Sequence, residues 1–203
     1  MRIDIIILSK MTDLVQVALY TAAFKLYETA LILPQSFMTS FFPQLARLYS
    51  GDRSGFNGMI GAIFRNILFY NAAVITGMYL VSWFAIHSIF GGKFDGAVSP
   101  FKLLLFGLIP WSMAKVSGQV LIASGRQKLD MVSTMVATVS NIVLNFILIP
   151  RYGAAGAAIA NTTSLAIFCL PQLWFARTVL RPAAPLWGQA NGQIRKIREN
   201  QGK

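Results

Sequence analysis

The sequence predicts an all-α fold: a polytopic transmembrane helix bundle, one six-helix lobe with a truncated first helix. Two observations carry this expectation. Of the 203 residues, 55% are hydrophobic and 12% charged, about half the charged share of a soluble domain. The runs 67–90, 131–150 and 152–176 contain no Lys, Arg, Asp or Glu, and each reaches the roughly 20 apolar residues a helix needs to cross the hydrocarbon core. With a mean hydropathy of +0.57, a disordered chain is excluded and a soluble globule disfavoured.

Six helical segments follow in order. The first is MRIDIIIL, interrupted by Asp4 and too short to span the bilayer. It has neither the basic start nor the cleavage site of a signal peptide, so it reads as the second half of a spanning helix and the chain as a fragment. The second runs from about 14 to 48, with a kink expected at Pro34, whose freed backbone group neighbouring helices would satisfy. The third covers about 59–90 and is closed by Gly91 and Gly92. The fourth covers about 100–123 with Pro110 inside, the fifth about 129–149 up to Pro150, and the sixth about 154–180 with a second kink at Pro171. Residues 181–203 are polar, basic and turn-rich and read as a tail lying on the membrane surface.

The net charge of +11 does not point to nucleic acid, because the basic residues lie between and after the apolar runs rather than along one soluble face. The expected partner is membrane lipid. Arg47 and Arg53 fall in the 2–3 connection, Arg126 and Lys128 in the 4–5 connection, and Arg177, Arg181, Arg195, Lys196, Arg198 and Lys203 at the end. Six crossings put these ten on one side, against Lys10, Lys93 and Arg151 on the other. The richer side is expected to be cytoplasmic, and so is the C-terminus.

Polar residues inside the helices mark candidate function, because a charge at the bilayer centre costs about 2.5–3.5 kcal/mol on insertion scales. Lys25 and Glu28 share a helix face and continue a stripe through Thr21, Gln35 and Thr39. That stripe is expected to line an aqueous pathway; the competing reading is a buried ion pair that pins two helices. Arg2 and Asp4, two residues apart, each need a partner on another helix or a place at the interface. Ser112, Lys115 and Gln119 form a second face, with Lys102 pointing elsewhere and reaching for the outer interface. Thr134, Thr138, Asn141 and Asn145 form a third; the hydroxyls are expected to bond between helices, and the two Asn side chains could reach sugar hydroxyls. Gly153, Ala157, Ala160 and Ser164 make a small-residue packing seam. Cys169 reads as a buried hydrophobe and His87 as an interfacial polar group. No catalytic constellation, phosphate loop or metal spacing appears, so neither an enzyme nor a cofactor or metal is expected.

The stretch NIVLNFILIPRYGAAGAAIANTTS resembles the late-helix signature of bacterial polysaccharide flippases, in which a helix ends in Ile-Pro and an aromatic-Gly-Ala turn opens the next. Here those residues are Ile149, Pro150, Tyr152, Gly153, Ala154, Gly156, Ala157 and Ala158. RIDIIILSKMTDLVQVALYTAAFKLYETALILPQSFMTSFFPQLARL is similar to the family's seventh and eighth helices, with Tyr20, Ala23, Lys25, Leu26, Pro34 and Pro43 in place, and SGRQK after the fourth segment also fits. The resemblance points to the oligosaccharide-lipid branch of the multidrug/oligosaccharidyl-lipid/polysaccharide exporter superfamily, the O-antigen flippases among them.

The resemblance implies that residues 1–180 are the C-terminal lobe of such a flippase, that 181–203 are a cytoplasmic tail, and that an N-terminal lobe is its missing partner. The implied substrate is an undecaprenyl-diphosphate-linked oligosaccharide, moved across the bacterial inner membrane for surface polysaccharide biosynthesis. A diphosphate crossing a low-dielectric region needs cations in a wet cavity, which Lys25, Lys115 and Arg2 would supply. The alternatives are a multidrug/cation antiporter of the same superfamily, using Glu28 or Asp4 for ion coupling; a lipid II flippase; and a non-transporting scaffold.

Overall fold

The computed structural model describes residues 3–180; the expectations for Arg2 and for the tail from 181 onward lie outside the described residues. Helices α1 (Ile3–Met11), α2 (Leu14–Gly51) and α3 (Arg53–Phe90) are followed by a 3-10 turn (Gly92–Ala97), then α4 (Val98–Phe106), α5 (Leu108–Ala123) and α6 (Gln127–Leu180). No strand occurs among the described residues, and the architecture is the all-α membrane bundle that the composition predicts. Arg53–Phe90, Gly92–Ala123 and Gln127–Leu180 are each long and apolar enough to cross a membrane.

The nine residues of α1 reach about 14 Å, well short of a crossing. Asp13 caps the start of α2, its side chain accepting from the Gln16 amide at 3.4 Å. α2 then continues unbroken through Pro34 and Pro43. Pro34 has no N–H to give the carbonyl of Ala30, and the Tyr70 hydroxyl of α3 donates to that carbonyl instead, at 3.2 Å. A neighbouring helix thus satisfies the freed group, as expected. The α2–α3 connection is the single residue Asp52. Its backbone N–H closes α2 on the Leu48 carbonyl, while its side chain accepts from the amides of Ser54 and Gly55, both at 3.0 Å. α3 therefore starts six residues before the expected 59.

The fourth expected segment is not one helix. It breaks at Gly107, whose N–H turns to the Leu104 carbonyl at 2.8 Å. The Leu103 carbonyl that it abandons accepts from the Thr162 hydroxyl at 3.0 Å. Pro110 falls in the first turn of α5, where a missing N–H costs nothing.

The fifth and sixth expected segments are one helical run bent sharply at Gly153, at φ 54° and ψ −128°. Pro150 does not end the first half; helix continues through Tyr152. A straight helix would hold residues 42 apart about 63 Å from each other. Gln172 nevertheless donates to Asp130 at 2.5 Å, and Arg126 to Thr178 at 2.9 Å. The run is therefore a helical hairpin folded at Gly153. Gly118 on α5 lets the Asp130–Gln172 bond form, because a Cβ there would lie 2.8 Å from Asp130 Oδ1. Gln16 accepts from the Ala154 amide at 2.9 Å and so caps the second half. The small-residue seam is buried as expected, at Ala157, Ala160 and Ser164.

These contacts fix which connections share an end. Arg53 donates to the Val179 carbonyl at 3.1 Å, Asn57 to Leu180 at 3.5 Å, and Arg126 to Thr178. The 2–3 connection, the 4–5 connection and the end of α6 thus meet at one end of the bundle. At the other, Gln16 meets Ala154, and Leu19 lies against Gly96. Two packed cores match these ends: one around Tyr20, Tyr27, Phe101 and Leu104, the other around Leu45, Phe56, Ile60 and Val120.

Gly153 combines a positive φ with crowding, since a Cβ would lie 2.6 Å from Gln16 Oε1. Gly153→Ala is expected to lower the thermal stability of the purified protein by at least ~1–2 kcal/mol, the left-handed backbone cost alone. Gly77→Ala, in mid-helix with nothing within 4 Å of the added methyl, should be neutral or stabilising by up to ~1 kcal/mol in the same melt.

Candidate functional site

The polar residues of three elements meet in one cleft. It has a volume of about 290 Å³ and lies between α1, α5 and the two halves of the α6 hairpin. Asp4 contributes from α1, Trp111 and Lys115 from α5, Thr134, Thr138 and Asn141 from the first half of α6, and Asn161 and Ser164 from the second. Leu165 and Phe168 complete an apolar flank.

Each polar group has a definite state. Asp4 is buried, and the Tyr20 hydroxyl donates to its Oδ2 at 2.5 Å. This is the partner on another helix that the sequence demanded, and it holds the carboxylate at the edge of the cleft. Thr134 and Thr138 donate to the carbonyls one turn back, Asp130 at 2.9 Å and Thr134 at 2.8 Å, and Ser164 donates to Ala160 at 2.6 Å. With their protons spent on their own helices, these hydroxyls offer a ligand lone pairs only. Donors come from the exposed Lys115, from the amides of Asn141 and Asn161 and from the indole N–H of Trp111. The cleft therefore presents one cation, one carboxylate and a mixed set of acceptors and amide donors, beside an indole face.

The other candidate residues lie apart. Asn145 is fully buried, and its amide donates to the Asn141 carbonyl and to Asn141 Oδ1 at 2.9 and 3.0 Å. It orients Asn141 rather than lining the cleft. Gln119 is half-buried on α5 and does not line it either. Lys25 and Glu28 are on α2, with Nζ to Oε2 at 3.8 Å and side chains 68% and 34% exposed. Thr21 and Lys25 line a separate pocket against Phe90 and Phe94, and Gln35 and Thr39 a third. The stripe is thus exposed along α2 and does not merge with the cleft. Lys102 sits over the Tyr79 ring, 4.4 Å from its centroid. His87 stacks on Trp83 and meets Asp95 at 3.1 Å. Cys169 is buried. No cluster able to hold a metal occurs among the described residues.

Trp111, Asn161 and the Asp130–Gln172 bond were not anticipated. Trp111 was legible as the i−4 neighbour of Lys115 on the same face. Asn161 could be found only by pairing the two halves of α6 about Gly153.

The exposure of Lys25 predicts that Lys25→Ala changes the stability of the folded protein by less than about 1 kcal/mol, with membrane abundance unchanged. A loss of several kcal/mol in the same melt would make the pair a buried brace.

The family model described as lipid II flippase MurJ matches residues 3–187. An uncharacterized membrane protein of Methanocaldococcus jannaschii, MJ1068, is 24% identical over 143 residues, which is 68% of this chain and 28% of that protein. The chain thus spans little more than a quarter of that relative. The resemblance seen in the helix signature holds at the level of the exporter superfamily and its flippases. With the match running from α1 through α6, the chain belongs to the lipid II flippase MurJ family.

Proposed function

We propose that this chain is the C-terminal lobe of a flippase that carries a polyprenyl-diphosphate-linked saccharide, of the lipid II type, across a bacterial inner membrane in partnership with an N-terminal lobe. The observation that carries the reading is the cleft: a single exposed lysine, Lys115, set among hydroxyl and amide groups and beside Trp111. A diphosphate needs donors and positive charge in a low-dielectric region, and the lysine, the amides and the Trp111 indole N–H are the donors there. Sugar hydroxyls both give and accept, which suits lone pairs on Thr134 and Thr138 beside the amides of Asn141 and Asn161. The prenyl chain stays in lipid while the head group passes, and the lobes rock about the cleft in alternating access. Lys25, on the α2 stripe, would meet the head group only on a path beyond the cleft. An undecaprenyl-diphosphate-linked oligosaccharide for surface polysaccharide is the second reading, favoured by the flippase-like stretch from Asn141 to Ser164. A cation antiporter fits less well, because the cleft carboxylate, Asp4, is already engaged by Tyr20.

The test uses the full-length protein that contains this lobe. Lys115→Ala is expected to lower head-group translocation by about tenfold, the loss of one charge-assisted hydrogen bond, at unchanged membrane abundance, and Lys115→Arg should keep part of it. Full transport in Lys115→Ala would overturn the reading. Rescue of a strain depleted of its lipid II flippase, against rescue of surface-glycan export, separates the two substrates.

The end that gathers Arg47, Arg53, Arg126 and Lys128 is cytoplasmic in this reading. In a Cys169→Ser background, cysteines at exposed positions 50 and 128 should resist a membrane-impermeant thiol reagent applied to intact cells, whereas one at 93 should react. The reverse pattern would invert the orientation.

A further inference from the structure

Two arginines at the basic end keep guanidinium donors that the bundle does not use among the described residues. Arg53, beside them, is consumed: it bonds the Val179 carbonyl and lies over the Tyr49 and Phe56 rings. Arg126 and Arg177 are exposed, and among the described residues neither meets a carboxylate. The nearest acid along the chain, Asp130, is one turn past Arg126 and takes its hydrogen bond from Gln172. Arg126 is also held in place. The Thr178 hydroxyl gives its proton to the Phe175 carbonyl at 2.7 Å and accepts from Arg126 Nη1 at 2.9 Å. One of the five guanidinium N–H donors is used there; the rest are free for a ligand.

The surface below these cations is apolar. Leu170, Trp174 and Thr178 recur at four-residue spacing with Arg177 alongside, so they form one ridge of the helix. Leu170 is 69% and Trp174 63% exposed, and the Trp174 indole N–H has no acceptor among the described residues. Going toward the end of α6, the ridge runs aliphatic, indole, then the arginine level, with Arg177 on the helix itself and Arg126 bonded to Thr178 beside it. That order matches the depth profile of a phospholipid: acyl chain, interface, phosphate.

We propose that Arg126, Arg177 and Trp174 form a binding site for an anionic phospholipid, the guanidinium groups holding its phosphate and the Leu170–Trp174 ridge its first acyl segment. A soluble phosphate would use the cations but not the ridge. The site is separate from the cleft and does not depend on the transported substrate.

The experiment uses the full-length protein in lipid nanodiscs of phosphatidylglycerol or phosphatidylcholine, each brominated on its acyl chains. Quenching of Trp174 fluorescence is read as the difference between the protein and its Trp174→Phe variant. Brominated phosphatidylglycerol is expected to quench Trp174 preferentially in mixed bilayers. That preference should fall about fivefold for each arginine removed in Arg126→Gln and Arg177→Gln, and survive largely in Arg126→Lys/Arg177→Lys. Equal quenching by the two lipids in the unaltered protein overturns the proposal, and that measurement needs no variant at either arginine. So does an undiminished preference in the Gln variants. Loss of the preference on adding inorganic phosphate at constant ionic strength would make this a phosphate site rather than a lipid site.

Discussion

In a bilayer every backbone donor and acceptor must find a partner inside the protein, and this bundle is organised by how it meets that demand where a helix cannot. At four irregular places among the described residues, a side chain from another element meets the backbone group that the helix leaves unpaired. Tyr70 serves the Ala30 carbonyl freed by Pro34, and Thr162 the Leu103 carbonyl abandoned at Gly107. Gln16 accepts the Ala154 amide exposed at the Gly153 bend, and Arg53 and Asn57 reach the last carbonyls of α6. These bonds tie α2 to α3, α4 to α6, α2 to α6 and α3 to α6. Apolar packing gains little from moving between lipid and protein, so these repairs do much to specify the arrangement of the helices.

The cleft is a by-product of the same arrangement. Folding α6 back on itself brings Asn141 and Thr138 opposite Asn161 and Ser164, residues that are distant in a straight helix. α1 places Asp4 at the edge of that wall, where Tyr20 holds it. A mixed polar lining of this kind, with few free protons on its hydroxyls, suits ligands that bring their own donors, and in the proposed function Lys115 supplies the charge selectivity.

Much of this was legible in the sequence, for physical reasons. The fold class, the six segments and the alternation of basic connections follow from length, apolarity and charge placement, which the bilayer imposes directly. The buried seam from Ala157 to Ser164 followed from helical periodicity. The expected polar faces divide: Ser112 turns to Asn71 while Lys115 enters the cleft, and Thr134 and Thr138, expected to bond between helices, bond carbonyls of their own helix. Two boundaries were not legible. The fourth segment reads as one helix with Pro110 inside, but the ladder breaks at Gly107; the fifth was expected to stop at Pro150, and helix instead continues through Tyr152 to the bend at Gly153. The Lys25–Glu28 stripe ranked first as a site because its charges are the most conspicuous in the sequence; the structure leaves it exposed on α2, away from the cleft. Asp130–Gln172 was invisible because it depends on a pairing across the hairpin.

The single-residue connection at Asp52 has a mechanical meaning. α2 and α3 each contain 38 residues, about 57 Å of helix, nearly twice the roughly 30 Å hydrocarbon thickness. One residue caps both, its backbone closing α2 and its carboxylate opening α3, so the joint has no slack. Two long helices joined at a common tip with no slack share any displacement of Asp52. The tip is clamped to the end of α6 by Arg53 and Asn57, so any rocking of the α2–α3 pair has to drag the α6 hairpin with it.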